Sequence, residues 1–275
     1  MKFLRIIGMA ALMVALLPQM AQASVGAVPP PQQNWEFHGL FGRFDDASLK
    51  RGAQVAVEVC MGCHSIKYIK FDYLRQFGYS ETEVKQLAET QGMTKTDYMV
   101  SAMDDESAKD SFGVIPPDLS LMTKARKGYE DYTYGILTGY LNDEESALIE
   151  EAMEDETLSD SEIKKIAVAL HLDASHPEEV QHVIDRINNG ENFNKYFPGH
   201  FFAMPQPMTD GAIEYLDGRE SSLKQMSRDV TAFLAWASEP AQVERKALAP
   251  KVLLYLLVLT VMLYALKRRI WARVH

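Results

Sequence analysis

Cys60-Met61-Gly62-Cys63-His64 places two thiols and an imidazole within five residues. Two thiols spaced in this way can add across the two vinyl groups of a porphyrin as thioethers, and a histidine that follows at once is set under the iron as the proximal axial ligand. These are the only two cysteines in 275 residues, so no other pair competes for the role. Other uses of a C-x-x-C pair fit less well. A redox-active dithiol belongs in a βαβ setting that the flanking sequence lacks. A zinc site needs a second Cys/His pair at suitable spacing, and a disulfide leaves His64 without a purpose. The motif predicts one covalently bound haem c, with Cys60, Cys63 and His64 as its residues.

An iron held by His64 on one side needs an answer on the other. A methionine gives a low-spin electron-transfer centre of raised potential, an open side gives a gas binder or catalyst, and a second histidine lowers the potential. Fourteen methionines make the residue type uninformative alone, because most methionines fill cores. Met204 is set apart by its context, Phe201-Phe202-Ala203-Met204-Pro205-Gln206-Pro207, a proline-stiffened stretch able to present a thioether at a fixed distance. Met208 is its nearest rival, and His171, His176, His182 and His200 could supply a second imidazole. The residues by themselves leave this choice open.

The elements that must position these groups lie between two hydrophobic ends. Residues 1–23 have the form of a secretory signal: Lys2 and Arg5, then an apolar stretch from Ile6 to Leu17, then Ala21-Gln22-Ala23 as a small-x-small cleavage site. A mitochondrial transit peptide would be richer in Arg and Ser. At the other end, residues 247–267 come close to the roughly 20 apolar residues of a spanning helix, with Lys251 able to snorkel. Lys267, Arg268, Arg269 and Arg273 follow, and positive charge marks the cytoplasmic side. The expected layout is a haem domain over residues 24–246 outside the bacterial inner membrane, a single-pass anchor, and a basic cytoplasmic tail at 268–275.

Within the domain, Leu141 to Lys195 carries fifteen Asp and Glu against four Lys and Arg, a net of −11 where the whole chain is −10. Such a block reads first as a solvated insertion at 141–195, and functionally as a negative surface that steers a basic partner. Helical periodicity predicts an all-α class. Asp46 is expected to cap a helix from Ala47 to Val59, with Gly52 leaving room for a close crossing. Further helices are expected at Glu81–Thr90, Lys95–Met103, Asp131–Thr138, Glu144–Glu154, Ser161–Leu172, Pro177–Ile187 and Ser221–Ser238, with part of Ser65–Phe77 also helical. Consecutive prolines at Pro116 and Pro117 break the pattern.

Further segments carry a resemblance. They are Trp35, Phe37, Gly39, Phe41, Gly42, Phe44 and Asp45; Arg51-Gly52 with Gln54-Val55; Pro116-Pro117-Asp118-Leu119-Ser120; Ala125-Arg126; Leu137-Thr138-Gly139-Tyr140; and Tyr196-Phe197-Pro198-Gly199. With the haem motif, the Ala203-Met204 loop and the anchor, they cover nearly the whole mature chain in order, and the chain resembles the cytochrome c1 family, the haem c subunits of quinol–cytochrome c reductase. The resemblance implies that Cys60 and Cys63 hold the haem, that His64 and Met204 ligate iron, and that Arg126 pairs with a propionate. It places the Pro116-Pro117 segment on the His64 side, where a backbone carbonyl is expected to accept from His64 Nδ1. Pro116 is therefore included among the cofactor-binding residues.

The implied function is one-electron transfer, not catalysis by the chain itself, in a respiratory or photosynthetic chain. Electrons would pass from a Rieske iron–sulfur protein to a c-type cytochrome, with cytochrome b as a further partner and no nucleic acid. A free-standing membrane-anchored cytochrome c feeding a terminal oxidase is the alternative, and an open-site peroxidase or gas sensor is a more distant one. Two departures from the family stand out: Gln206 separates Pro205 from Pro207 where a Pro-Pro pair is common, and the acidic stretch lacks an additional cysteine pair.

Overall fold

Asp45 opens the first helix of the domain, its carboxylate accepting from the N–H groups of Ala47 and Ser48 at the otherwise unpaired helix start. The cap is thus one residue earlier than expected, and helix α1 runs Asp46–Glu58. The computed structural model describes residues 28–154 and 158–273; the expected signal segment at 1–23 lies outside them. After α1 come a short 3-10 turn at Cys60–Gly62, strand β1 (Ile66–Lys70), a 3-10 stretch (Phe71–Phe77), helix α2 (Glu81–Thr90) and strand β2 (Tyr98–Met99). Helices α3 (Asp105–Phe112), α4 (Met122–Ala125), α5 (Tyr129–Thr138), α6 (Asp143–Glu154), α7 (Asp160–Leu170), α8 (Pro177–Asn188), α9 (Leu223–Ser238) and α10 (Gln242–Trp271) complete the described chain. The protein is mostly helical, as expected.

One local expectation is overturned, one holds in a particular form, and one helix is not announced by the sequence. Lys95–Met103 is not a helix: Thr94 and Asp97 close a turn on each other, and the chain beyond pairs antiparallel with β1 through Ile66–Met99 and Lys70–Tyr98. Backbone groups spent on that turn and ladder are not free for an i to i−4 series. Ser65–Phe77 is helical in part, as expected: strand β1 is followed by the 3-10 stretch Phe71–Phe77, whose donors at Phe71 and Asp72 are taken by the carbonyls of Asp97 and Lys95. Helix α3 was not foreseen, because only Ala108 of its eight residues is buried, so no apolar stripe announces it; Asp104 caps it and Gly113, at φ 71°, ends it.

The main core forms where α1 crosses α9. Gly52 makes the crossing possible: a Cβ there would lie 2.0 Å from the Asp229 carbonyl oxygen and 2.8 Å from Phe233 Cβ. Leu49, Ala53, Val55 and Ala56 of α1 and Met226, Val230, Phe233 and Leu234 of α9 are buried around it. Beside the apolar contact, Arg51 reaches Asp229 through Nε (2.8 Å) and Nη2 (3.2 Å), and Asp217 through Nη1 (2.9 Å). Asp229 also accepts from Ser48, Tyr215 and Gln225. Burial alone would favour a neutral Arg51, but the bonds to the two carboxylates outweigh it and hold the guanidinium charged.

The acidic stretch is folded rather than merely solvated. Ile149, Ile166, Leu170, Val180, Ile184 and Phe193 from α6, α7, α8 and the segment after them make a second, smaller core. Most of the acidic side chains described on its helices are exposed, Glu145 turns inward to pair with Lys195 at 2.5 Å, and Ser159 starts α7 with a reciprocal capping box to Glu162. Helix α10 is long and apolar enough to cross a membrane and is exposed along its length. It begins at Gln242 and includes Pro250, so the helix extends beyond the expected apolar segment at both ends.

Two tests follow from this packing. Gly52→Ala pushes a methyl into the backbone of α9, and denaturant unfolding of the holoprotein is expected to show a loss on the order of 3 kcal/mol. Glu83, bonded by Lys50 at 2.6 Å and by the Ser80 N–H, is drawn down to about 2 from an ordinary 4.5. A carboxylate with a lowered folded pKa stabilises fully above its unfolded value and loses that contribution as pH falls. Unfolding midpoints of Glu83→Gln should therefore fall less steeply than those of the parent between pH 4.5 and about 2.

Candidate haem-binding site

Helix α1 delivers the motif. Its last turn passes into the 3-10 turn at Cys60–Gly62, and the Cys60 carbonyl accepts from the N–H groups of both Cys63 (3.1 Å) and His64 (2.8 Å). Met61 points the other way and is fully buried in the main core. The motif is thereby pinned from behind while the two cysteines, both free thiols, remain half-buried. Burial first, and the neighbouring Cys63 second, push the Cys60 thiol up to about 12.

His64 is oriented by the segment that breaks the helical pattern. Its Nδ1 lies 2.8 Å from the Pro117 carbonyl oxygen. A carbonyl can only accept, so Nδ1 carries the proton and Nε2 keeps its lone pair for a metal. Burial lowers the pKa of His64, with the Pro117 bond and the Asp118 charge opposing it, which favours the neutral imidazole. The expected carbonyl is present, on Pro117 rather than Pro116. The loop is sewn to β1: Leu119 N–H donates to the Ser65 carbonyl (2.8 Å), Lys67 N–H to Asp118 (3.0 Å) and Tyr68 N–H to Ser120 Oγ (3.2 Å).

Met204 is half-buried in a non-helical segment whose backbone is held from outside. Tyr140 OH donates to the carbonyls of Met204 (3.0 Å) and Pro205 (3.2 Å), and burial pushes that phenol above its ordinary pKa, keeping it a donor. Asn192 Nδ2 donates to Phe202 and Ala203 at 3.4 Å each. Phe202 stacks between Tyr140 and Phe197, with centroids 5.8 and 4.6 Å away. Gly139 allows this approach, since a Cβ there would meet Asn194 Oδ1 and the Tyr196 ring at 2.6 Å.

The rival ligands are placed elsewhere. Met208 is 3% exposed and packs in the main core. His171, His176 and His182 lie exposed on the acidic unit. His200 is buried, stacked on Phe193 at 5.5 Å, with Nδ1 3.3 Å from the Asn194 carbonyl oxygen. Arg126 follows α4 and is exposed; its charge acts on Tyr132, whose pKa is raised by burial and lowered by the guanidinium. Among the described residues no carboxylate pairs with Arg126.

A cleft of about 620 Å³ is lined by Ser111 and Phe112 at the end of α3, by Arg186, Glu191 and Asn192 of the acidic unit, and by Phe201, Phe202, Ala203 and Pro205 around Met204. Leu119 and Met208 belong to the main core, and Cys60, Met122 and Leu137 pack against it. A neutral imidazole with a free Nε2, two free thiols spaced C-x-x-C and a thioether on a fixed backbone are a donor set that fits a haem. Tyr140 and Asn192 had no assigned role in the sequence; their targets are carbonyls 64 and 11 residues away, which no local pattern reveals.

Fold and donor set together have the layout of a c-type cytochrome. The model of the Cytochrome C1 family matches residues 35–274. "Cytochrome c1" of Rhodospirillum rubrum is 38% identical over 279 residues, 95% of this chain and 94% of the relative. "Cytochrome b-c1 complex catalytic subunit, mitochondrial" of Candida albicans is 32% identical over 259 residues, 88% and 77% of the two chains. "Cytochrome b/c1" of Bradyrhizobium diazoefficiens is 33% identical over 280 residues, 94% of this chain and 38% of that longer relative. The chain belongs to the cytochrome c1 family, whose cofactor is a c-type haem.

Tyr140→Phe removes the donor to the carbonyls of Met204 and Pro205. A lost bond of this kind costs about 1–3 kcal/mol. The ferric spectrum of the variant is expected to lose its sulfur–iron charge-transfer band at lower denaturant concentration than the parent, while the covalent haem content stays unchanged.

Proposed function

We propose that this chain is the cytochrome c1 subunit of a bc1 complex and relays single electrons from a Rieske iron–sulfur protein to a c-type cytochrome. The observation that carries the proposal is the pair of separately fixed ligand positions, His64 with Nδ1 committed to Pro117 and Met204 with its backbone committed to Tyr140. An electron carrier needs both axial sides filled and held, since a ligand that leaves or moves on reduction adds reorganisation to every transfer. An open catalytic haem needs one side free.

The residues divide the work as follows. Cys60 and Cys63 would hold the one haem through thioethers, His64 Nε2 and the Met204 thioether would take the axial positions, and Arg126 would pair with a propionate. When bound, the haem supplies the one-electron couple. The chain itself orients His64 through Pro117, keeps water from the Met204 side with Phe202 and Tyr140, and lets no proton or nucleophile enter the reaction. Pro116, half-buried beside Pro117, would line the His64 face. The acidic helices α6 to α8 give a negative surface that would draw a basic partner to this end of the molecule by long-range attraction.

Membrane placement follows the same reading. Helix α10 would cross the bacterial inner membrane once, with Lys267, Arg268 and Arg269 on the cytoplasmic side and the haem domain in the periplasm. Cytochrome b is supported as a neighbour by the relative whose name joins b and c1. Purification from native membranes in mild detergent is the direct test: b-type haem and a Rieske iron–sulfur signal should accompany the c-type haem. Only c-type haem, under conditions that keep such complexes intact, would instead support a free-standing carrier to a terminal oxidase.

The site assignment has its own test. Met204→Ala should abolish the sulfur–iron band, lower the reduction potential and let the ferrous protein bind carbon monoxide, whereas Met208→Leu should leave all three unchanged. A Met204→Ala protein with the parent spectrum would rule Met204 out.

A further inference from the structure

Lys246 joins two parts of the molecule that the haem site does not use. It lies in the first turns of α10, and its ammonium donates to the carbonyls of Phe37 (2.6 Å) and Gly42 (3.4 Å). Those carbonyls flank a tight loop. Gly39 takes a φ of 74°, and a Cβ on Gly42 would fall 1.8 Å from the His38 carbonyl oxygen, so both glycines are required by the turn. Phe37 stacks on Phe44 behind it with centroids 4.5 Å apart. The tip carries Leu40, 63% exposed, and Phe41, at 81% the most exposed large apolar side chain among the described residues.

A lone exposed phenylalanine is ordinary on a protein surface. Its height relative to α10 makes this one informative. A hydrocarbon core of about 30 Å takes about 20 residues at 1.5 Å each. The uncharged run ends at Leu266, and counting back along the helix puts the other boundary near Ala247. Pro250 leads independently to the same level. It has no N–H, so the Lys246 carbonyl loses its helical partner, and such a group belongs in a wet zone rather than in hydrocarbon. The headgroup layer beyond the boundary is roughly 5–8 Å deep, and a loop bonded to the Lys246 ammonium lies within it. The height is fixed as well: Glu239 grips Lys124 (2.5 Å) and Arg245 (2.6 Å), tying the start of α10 to α4 and the end of α9.

We propose that the Leu40–Phe41 tip is a second membrane contact, inserted into the interfacial layer of the lipid bilayer beside α10, with Lys246 as the pin between them. Two contacts set the tilt and height of the domain above the bilayer, which one helix alone does not. Arg43 next to the tip and Arg245 and Lys251 near the pin supply positive charge to lipid phosphates. The proposal rests on α10 crossing the membrane.

Spin labels test it in the complex as purified and reconstituted into vesicles of phosphatidylethanolamine and phosphatidylglycerol. Labels are placed by Phe41→Cys, by Leu40→Cys as a second position at the same tip, by Val258→Cys within α10 and by Val168→Cys on the exposed face of α7. Collision rates with oxygen, which partitions into lipid, and with a water-soluble nickel chelate are compared. The expected result is an oxygen-to-nickel ratio at positions 41 and 40 shifted above that at 168 toward that at 258. A ratio at 41 equal to that at 168, with 258 still rich in oxygen, would overturn the membrane contact and leave the span intact. Exclusion of both reagents at 41 would overturn it in favour of cover by a neighbouring subunit. A nickel-rich position 258 would remove the span and the proposal together.

Discussion

The approach of α1 to α9 at Gly52 is the constraint on which the rest of the structure depends. Helix α1 leads into the cysteine motif, and α9 leads through Glu239 into α10, so this one crossing sets the motif relative to the long apolar helix. The apolar faces supply the gain from burial, and the missing side chain at residue 52 lets the backbones come close enough for that gain. The Arg51–Asp229 pair beside it contributes mainly to uniqueness. A buried ion pair is a poor source of net stability, but only one rotation of α9 against α1 lets Asp229 receive Arg51, Ser48, Tyr215 and Gln225 together. The buried charges therefore select one packing among several that the apolar stripes would allow.

The two sides of the site are built on different principles. On the His64 side the side chain itself is held: the ring bonds through its own nitrogen to the Pro117 carbonyl, 53 residues on, and the Pro117 loop is sewn to the motif and β1 by Ser65, Asp118 and Ser120. On the Met204 side the restraint reaches across the fold, with Tyr140 and Asn192 holding carbonyls and three aromatic rings closing over them. Asn194 and Lys195 bind the same region to Ile136 and Gly139, so the acidic unit serves as a buttress for the Met204 segment.

Much of this was legible in the residues. The cysteine motif follows from residue type and spacing, α1, the acidic helices and α9 follow from periodicity and caps, and a glycine at 52 in an otherwise helical pattern marks the close crossing. The failures share a cause. Helix α3 is nearly all polar outside and has no stripe, and the β1–β2 ribbon depends on backbone partners about 30 residues apart. The second core was hidden because fifteen acidic residues dominate the composition of a stretch whose apolar positions are few but well spaced. At the candidate site, the side chains proposed to hold the haem stand out in the sequence, and those that fix their backbones do not. A donor aimed at a distant carbonyl leaves no periodic mark.

Tyr140 grips the carbonyls of Met204 and Pro205 and makes no bond to the Met204 side chain. The position of the backbone at residue 204 is thus set without its side chain. Position 204 is in this sense a socket. On the proposed ligation, a different donor could be fitted there by a single substitution that leaves the Tyr140 bonds in place. Redox tuning and folding would then come under separate genetic control, and a lineage could explore the first without risking the second.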